Sequence, residues 1–545
     1  MSTSISRPNH LRIGLISAAF LVGLGLVLAW FGFLYAPGPH DNDWPLLMWL
    51  AKNASWADPS PLVIGHYGML QLLLVRMLLP VFGSTLVAAK ILNIAATLLS
   101  CLIAGLIAQR LTRQPRSRII AMSVAATSAA VFLSAQSEFA DPLSTCAFLI
   151  ALYLLLPTNA PAERQFRADV RFLVAGFCLG LSGLLRVHFQ VFSLASIVIY
   201  TTLFGIKIDT RERFLVIVQF SRRYFLHIVL LILGFLIGIS PSFYLNLKFH
   251  GTLFSPIAQS FVGQVLFGVN QYNMLETYDS HPFSEVIRHP RAYARFILFR
   301  VRKLPEPWEV IGLAALGLMW AKRTKRLVDG RFEVFLLVIS AVYTLLFVCQ
   351  SWAITPRLLF PLTFLLSIAG VVVLETFNNL IRPRWITLAV LLFIATSAPS
   401  VYSQTAIKLG QVRNMWRESE QLCRVLRQAG MNDAREAFVF AWERFTVDDP
   451  EMIAYYNFGF WNLLNERYRR ERPNPYHELE DLERFSRFME EQKVKFVVLT
   501  RGDEEHFPVI KPLIEQRSFR FGKYQFLQQL QDDFIFQYQD KSTKN

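Results

Sequence analysis

The sequence predicts an α-helical protein that crosses a membrane about eleven times and ends in an extracytoplasmic α/β domain. Hydrophobic residues make up 53% of the chain and charged residues only 17%, whereas soluble domains carry about 25% charged residues. The apolar residues fall into runs of roughly 18 to 23, the length that a helix needs to cross a bilayer. Basic residues cluster in short loops two apolar runs apart, which is the pattern of cytoplasmic loops.

The location of the net charge of +15 argues against nucleic acid as a partner. The chain from Lys408 onward is nearly neutral, so the excess lies in the short loops between apolar runs. Lysine and arginine in such loops mark the cytoplasmic side of a membrane protein. We therefore expect a cytoplasmic N-terminus and, after an odd number of spans, a C-terminus on the outside.

The transmembrane part is expected over residues 1–400, with a first extracytoplasmic loop at 36–82 and a long one at 248–306. The first apolar run is too long for the core of a signal peptide, which favours a retained anchor. The predicted spans lie near residues 13–35, 84–109, 119–134, 142–157, 172–187, 188–206, 225–247, 307–320, 332–350, 358–377 and 385–400.

The tail over 401–545 has the pattern of a small α/β domain. Residues 437–442 and 494–499 are apolar and rich in valine and phenylalanine, as in strands. Helical stretches surround them, including the highly charged residues 478–491.

Two acidic residues, Asp41 and Asp43, follow the first apolar run directly. Carboxylates at a membrane rim are costly to hold near hydrocarbon, so they are candidates for function. Each can act as a general base on a hydroxyl or help to hold a cation. Asp43 also precedes Pro45 and an apolar pattern at helical spacing, which is typical of a helix N-cap. The two roles are compatible.

A second acidic pair, Glu138 and Asp141, lies in the predicted outer turn between two spans. Here the simpler alternative is a turn in which Asp141-Pro142 starts the next helix. Because both acidic pairs are expected on the same face of the membrane, we favour function. His66 and Tyr67 follow the first loop and are weaker candidates for lining the same polar site; a hydrated face of an interfacial helix explains them equally well.

Two arginines are expected on that face as well. Arg186 interrupts an apolar stretch, and Arg357 begins a late span. The planar fork of a guanidinium suits a phosphate or diphosphate at headgroup depth. The alternative is that each arginine only anchors its helix among lipid headgroups.

Several segments together resemble a known family. They are the acidic residues 41–43, residues 65–68 with 79–83 and 88–93, Asp141-Pro142-Leu143-Ser144-Thr145, the glycine-rich run 176–186 that ends in arginine, residues 239–251, and Arg357-Leu358-Leu359-Phe360-Pro361. Their order is similar to that of the GT-C glycosyltransferases, in the branch of the protein O-mannosyltransferases and the lipid A aminoarabinose transferase. The resemblance covers about residues 10 to 400 in order and topology. The acidic motif is Asp-Asn-Asp where that branch has Asp-Glu, which leaves open which aspartate is the base, although Asp43 fits the position better.

The resemblance implies an inverting transfer of a sugar from a polyprenyl-phosphate donor to an acceptor hydroxyl on an envelope glycan, lipid or protein. Asp43, or Asp41, would be the base, and Arg186 and Arg357 would bind the lipid phosphate. Glu138, Asp141, His66 and Tyr67 would position the acceptor or a divalent cation, since family members differ in metal use. It also implies an integral protein surrounded by membrane lipids, in a bacterial inner membrane.

Two other classes of protein fit the number of spans. A transporter or lipid flippase would have ionisable residues near the bilayer midplane and often internal repeats, whereas here the acids lie at one rim. A membrane scaffold that binds a partner through its tail gives no reason for acids and arginines to share one face.

Overall fold

The computed structural model describes residues 7–37, 51, 68–137, 139–156, 165–209, 217–220, 222–251, 253, 290–291, 294–295, 298, 330–345, 356–377, 383–432, 436–440, 481–501, 510–515 and 520–539. These residues form long apolar helices followed by a small mixed sheet. The helices are α1 (Arg7–Ala29, extended by a π-helical stretch Trp30–Tyr35), α2 (Met69–Phe82), α3 (Thr85–Thr112), α4 (Arg116–Ala126), α5 (Ala129–Gln136), α6 (Asp141–Leu155), α7 (Gln165–Leu185), α8 (Val187–Tyr200), α9 (Arg222–His250), α10 (Gly330–Tyr343), α11 (Pro356–Phe377) and α12 (Pro383–Gln428).

Three described helices are long and apolar enough to cross a membrane: Arg12–Tyr35, α3, and Phe225–Phe249 within α9. Helices α4 and α5 together pass the same test, but they meet at 70°. The sequence predicted one span there, near 119–134, without indicating a bend. The chain bends because Ser128 is extended (φ −99°, ψ 130°) and so interrupts the helical hydrogen bonding. The predicted span near 307–320 lies outside the described residues, so the total of eleven stays a prediction.

Helices α7 and α9 approach each other closely because glycines face each other where they cross. A Cβ atom at Gly180 would lie 2.8 Å from the Cα of Gly238, closer than real Cβ contacts allow. Small residues at such crossings let membrane helices pack backbone against backbone. The crossing fixes α7, which ends at Leu185, directly before Arg186.

Opposite ends of the helix bundle carry different ion pairs. At one end Arg116 pairs with Glu375 (Nη2–Oε2 2.7 Å). At the other end Asp141 pairs with Arg186 (Oδ2–Nη2 3.1 Å), and this is called the Asp141 end below. Helix α2 has both termini at the Asp141 end, because Gly68 lies against the carbonyl of Leu185 and α2 leads directly into the start of α3. That the whole segment 36–82 is an extracytoplasmic loop stays a prediction, since residues 38–50 and 52–67 lie outside the described part of the chain.

Helix α12 leads from the bundle into the tail without a break. It has 46 residues, so it is about 69 Å long, and it passes through the predicted boundary at 400–401. The tail contains a five-stranded sheet in the order β3-β4-β7-β6-β5, in which only β3 and β4 are parallel. The strands are β3 (Ala437–Phe440), β4 (Phe496–Thr500), β5 (Arg520–Phe521), β6 (Tyr524–Leu530) and β7 (Asp533–Tyr538), after a separate hairpin of β1 (Ile206–Asp209) and β2 (Ile217–Phe220).

Strands β3 and β4 confirm the two strands predicted from the sequence. Helix α13 (Leu482–Glu491) lies within the charged stretch predicted over 478–491, and the short α14 (Lys511–Glu515) follows β4. The ring centroids of Phe485 on α13 and Phe438 on β3 are 5.7 Å apart, so α13 packs on the sheet.

Candidate active site

The centre of the Asp141 end is a buried ion pair between two residues that the sequence singled out separately. Asp141 is the first residue of α6, where the positive end of the helix dipole favours a carboxylate. Arg186 lies between α7 and α8 with an extended backbone (φ −150°, ψ 125°). Its Nε donates to Oδ1 of Asp141 at 3.2 Å, and its Nη2 lies 3.1 Å from Oδ2. Asp141 is 0% exposed and Arg186 4%.

The ends of α7 and α8 hold Arg186 in this position. The backbone N–H of Arg186 donates to the carbonyl of Ser182 on α7 (3.1 Å). The carbonyl of Arg186 accepts from the N–H of Phe189 on α8 (3.0 Å). The backbone is thus bonded to both helices at the break, which fixes where the side chain starts.

Aromatic residues enclose the ion pair. The guanidinium carbon of Arg186 lies 4.7 Å from the ring centroid of Phe139. His188 places Nε2 3.8 Å from Oδ1 of Asp141, and the buried Tyr343 at the end of α10 is near enough to interact electrostatically with Asp141 and Arg186. Low polarity around the pair strengthens its attraction and makes loss of either partner costly.

The pair retains binding capacity. A guanidinium carries five N–H groups, and in the described part of the chain Asp141 is the only acceptor that Arg186 contacts through hydrogen bonds. The remaining N–H groups suit a planar or tetrahedral oxyanion, which an arginine binds through two oxygens at once. Asp141 keeps the guanidinium oriented while the rest of the fork stays available.

Two polar residues of α3 support the same end, and the sequence analysis did not assign them a role. Lys90 is 1% exposed, and its Nζ donates to the carbonyls of Gly32 (3.0 Å), Ala36 (2.9 Å) and Pro37 (3.3 Å). The lysine therefore caps the end of α1, where a positive charge also meets the negative end of the helix dipole. Pro37 is four residues before Asp41. A cation within a long apolar run was the signal that could have identified Lys90.

Asn93 fixes the turn that precedes Asp141, as Lys90 fixes the end of α1. One turn along α3 from Lys90, its Nδ2 donates to the carbonyls of Ser137 and Phe139 (2.9 Å to the latter). Gln136 ties the same turn to α1, because its Nε2 donates to the carbonyl of Leu28 (2.9 Å). These bonds hold the start of α6, and thus Asp141, against α1 and α3.

Several predicted site residues lie outside the described part of the chain: Asp41, Asp43, His66, Tyr67 and Glu138. Arg357 is described only as the second residue of α11, whose far end pairs through Glu375 with Arg116, so α11 begins at the Asp141 end. The structure thus brings Asp141 and Arg186 into contact and places the start of α11 at the same end. No group of three or more His, Cys, Asp or Glu side chains that could hold a metal occurs among the described residues.

Comparisons with known proteins identify the fold. The sequence matches no protein-family model and no curated protein. The structure is similar to that of ArnT from Cupriavidus metallidurans bound to undecaprenyl phosphate, with a TM-score of 0.56 and 11% identity, covering 96% of this chain and 97% of that one. It is also similar to the Archaeoglobus fulgidus oligosaccharyltransferase in the apo form (TM-score 0.53, 13% identity, 99% and 76% covered) and in complex with zinc and sulfate (0.51, 13%, 95% and 73%). The chain has the GT-C fold of these proteins.

Proposed function

We propose that this GT-C chain is a membrane glycosyltransferase that takes a sugar from a polyprenyl-phosphate donor and attaches it to an acceptor hydroxyl. The observation that carries the proposal is the buried Arg186, which Asp141 holds while the other described residues accept none of the remaining side-chain N–H groups. A protein with the same fold over nearly its whole length was solved with undecaprenyl phosphate bound. An oriented, partly desolvated guanidinium is the group that such a phosphate requires.

In the proposed reaction Arg186 stabilises the leaving group. The acceptor oxygen forms a bond to the anomeric carbon while the bond from that carbon to the phosphate oxygen breaks, and the polyprenyl phosphate leaves with the electron pair. Negative charge builds up on that phosphate in the transition state. Donors already oriented toward it lower the barrier more than donors that must reorganise. Arg357, at the start of α11, would be the second cation on the phosphate.

The base would be a carboxylate of the first loop. Asp43 would accept the proton of the acceptor hydroxyl during attack, with Asp41 as the alternative base. Lys90 supports this role because it fixes Pro37, from which the loop departs. Attack from the side opposite to the phosphate inverts the anomeric centre in a single displacement.

The other predicted residues would act on the acceptor or on a cation. Glu138, His66 and Tyr67 are proposed to position the acceptor hydroxyl. Asp141 fits a metal poorly, because both its oxygens already contact Arg186. If a divalent cation takes part, the carboxylates of Asp41, Asp43 and Glu138 are its ligands, since such ions prefer oxygen donors.

The proposed orientation puts the Asp141 end outside. The basic cluster of Arg110, Arg113, Arg116 and Arg118 lies at the opposite end, and such clusters remain in the cytoplasm. We infer an integral protein of a bacterial inner membrane with about eleven spans, a cytoplasmic N-terminus and an extracytoplasmic α/β domain over 401–545. The acceptor would then be an envelope glycan, lipid or protein.

The direct test uses purified protein with a panel of radiolabelled polyprenyl-phosphate sugars and an envelope extract. Wild type is expected to release polyprenyl phosphate, and Asp43→Asn to lower turnover by about 100-fold or more while the donor still binds. Asp41→Asn is the matched control two residues away. If Asp41→Asn abolishes turnover and Asp43→Asn does not, the base is Asp41. No binding and no turnover of any donor would contradict the proposal and favour a transporter.

A further inference from the structure

A small pocket lies where α1 meets α12, beside the first loop. Its volume is about 220 Å³, and it is lined by Trp30, Leu34, Tyr35, Pro37, Arg413 and Arg417. Pockets for drug-sized ligands are usually about 300 Å³ or larger, so this one suits a single small polar group. Its lining combines aromatic rings with two positive charges.

One arginine of this pocket is held in place by an aromatic ring, and no carboxylate among the described residues pairs with it. The guanidinium carbon of Arg413 lies 4.8 Å from the ring centroid of Tyr35, and the hydroxyl of Tyr35 donates to the carbonyl of Ala406 (3.2 Å). Nε of Arg413 is buried and has no hydrogen-bond acceptor among the described residues. A buried N–H group without an acceptor is costly, which indicates that an acceptor beyond the described residues completes the site.

The second arginine adds to the same positive charge. Arg417 lies one turn along α12 from Arg413, and like charges at this spacing repel. The described residues that line the pocket include no aspartate or glutamate. The nearest carboxylates along α12 are Glu418 and Glu420, and Glu420 pairs with Arg424. An anion in the pocket would relieve the repulsion and satisfy the N–H groups of both arginines.

The pocket lies at the depth of lipid headgroups. Trp30 and Tyr35 end the apolar run of α1, and tryptophan and tyrosine gather at this level of a bilayer. Trp30 is 43% exposed and Leu34 75%, so the pocket opens toward the surface that faces lipid. The anion available at that depth is the phosphate of a lipid headgroup.

We propose that this pocket binds the headgroup phosphate of an anionic phospholipid, such as phosphatidylglycerol, through Arg413 and Arg417. The bound lipid joins α12, which leads into the tail, to the end of α1. Because Pro37 also lines the pocket, the lipid contacts the base of the loop that carries Asp41 and Asp43. The proposal does not depend on the reaction that the chain catalyses.

The test counts retained lipids by native mass spectrometry. Protein is purified in phosphatidylcholine with phosphatidylglycerol, with undecaprenyl phosphate, or with inorganic phosphate. Wild type is expected to retain one more phosphatidylglycerol than the double variant Arg413→Gln/Arg417→Gln.

Arg417→Gln alone is expected to weaken retention about fivefold, since each surface arginine contributes about this factor. The side chain of Arg417 makes no described contact that folding requires. Arg424→Gln, on an exposed arginine of α12 paired with Glu420, is the matched control and should behave as wild type.

The proposal fails if wild type and the double variant retain phosphatidylglycerol equally. It also fails if Arg424→Gln loses as much lipid as the double variant, because the effect would then be general charge. A difference seen only with undecaprenyl phosphate, or only with inorganic phosphate, would overturn the assignment to a phospholipid.

Discussion

Asp141 and Arg186 depend on each other because neither charge can be buried alone. A lone buried carboxylate or guanidinium costs several kcal/mol, and the cost is offset only when partner and geometry are good. Here one hydrogen bond of 3.2 Å, from Nε to Oδ1, and one ionic contact of 3.1 Å, between Nη2 and Oδ2, join the two charges. The pair nevertheless adds little net stability between α6 and the end of α7, since apolar residues of similar size often pack as well. Its cost is more readily explained by function than by stability.

A double-mutant cycle separates the two explanations. Arg186→Gln leaves Asp141 buried without its partner, so we expect a loss of about 3–5 kcal/mol in stability. The double variant Arg186→Gln/Asp141→Asn removes both charges and should regain most of that loss, measured by thermal unfolding in detergent. It should still fail to release polyprenyl phosphate. Recovery of turnover together with stability would mean that the pair is only structural.

The sequence identified the members of this pair but not their contact. Arg186 stood out as a cation in an apolar stretch, and Asp141 as the start of a helix. Their pairing joins residues 45 apart in sequence and follows from how α6 and α7 pack. Lys90, like Arg186, is a charged residue in an apolar run. Its role depends on the contact between α3 and the end of α1, which the sequence does not indicate.

Helix α3 organises the Asp141 end through its polar residues. Lys90 and Asn93 lie three residues apart, so they share one face of the helix. One caps α1 and the other bonds the turn between α5 and α6. A single rigid helix thus sets the positions from which both predicted acidic segments begin. Sites built on helices are held more precisely than sites built on loops.

Replacement of Asn93 tests this organisation. Asn93→Leu keeps the size of the side chain but leaves the buried carbonyls of Ser137 and Phe139 without their donor. We expect a loss of about 1–3 kcal/mol in stability, and a fall in turnover because Asp141 is then less well held. Thr97→Val is the matched control, since Thr97 is equally buried one turn further along and its hydroxyl donates within α3. Equal effects of the two changes would show that the turn does not need Asn93.

Apolar runs predicted where most described helices lie, because length and hydropathy determine membrane crossing. The division of the stretch 172–206 was placed to within about two residues, between α7 and α8. Hydropathy does not indicate the direction of a helix axis, so it did not predict the 70° bend between α4 and α5. It also cannot show where a domain starts when one helix runs through the predicted boundary, as α12 does past residue 400.

At the scale of the whole molecule, the two ends of the bundle differ in chemistry. The Arg116 end has the basic residues of the short connection between α3 and α4, whereas the Asp141 end has the buried pair, the capped end of α1 and the start of α11. The fold matches ArnT over 96% of this chain, although only 11% of residues are identical. Helix packing retains a fold even at such low sequence identity, whereas substrate specificity depends on individual residues. We therefore propose that the lipid phosphate binds at the Asp141 end, on Arg186.

A cryo-EM structure of the protein in nanodiscs that contain undecaprenyl phosphate would locate the phosphate. We expect phosphate density within hydrogen-bond distance, about 2.7–3.2 Å, of the Arg186 guanidinium, with the pair to Asp141 retained. The same density should be absent from the Arg186→Gln/Asp141→Asn variant. Phosphate bound at the Arg116 end, or bound equally in the variant, would contradict the account.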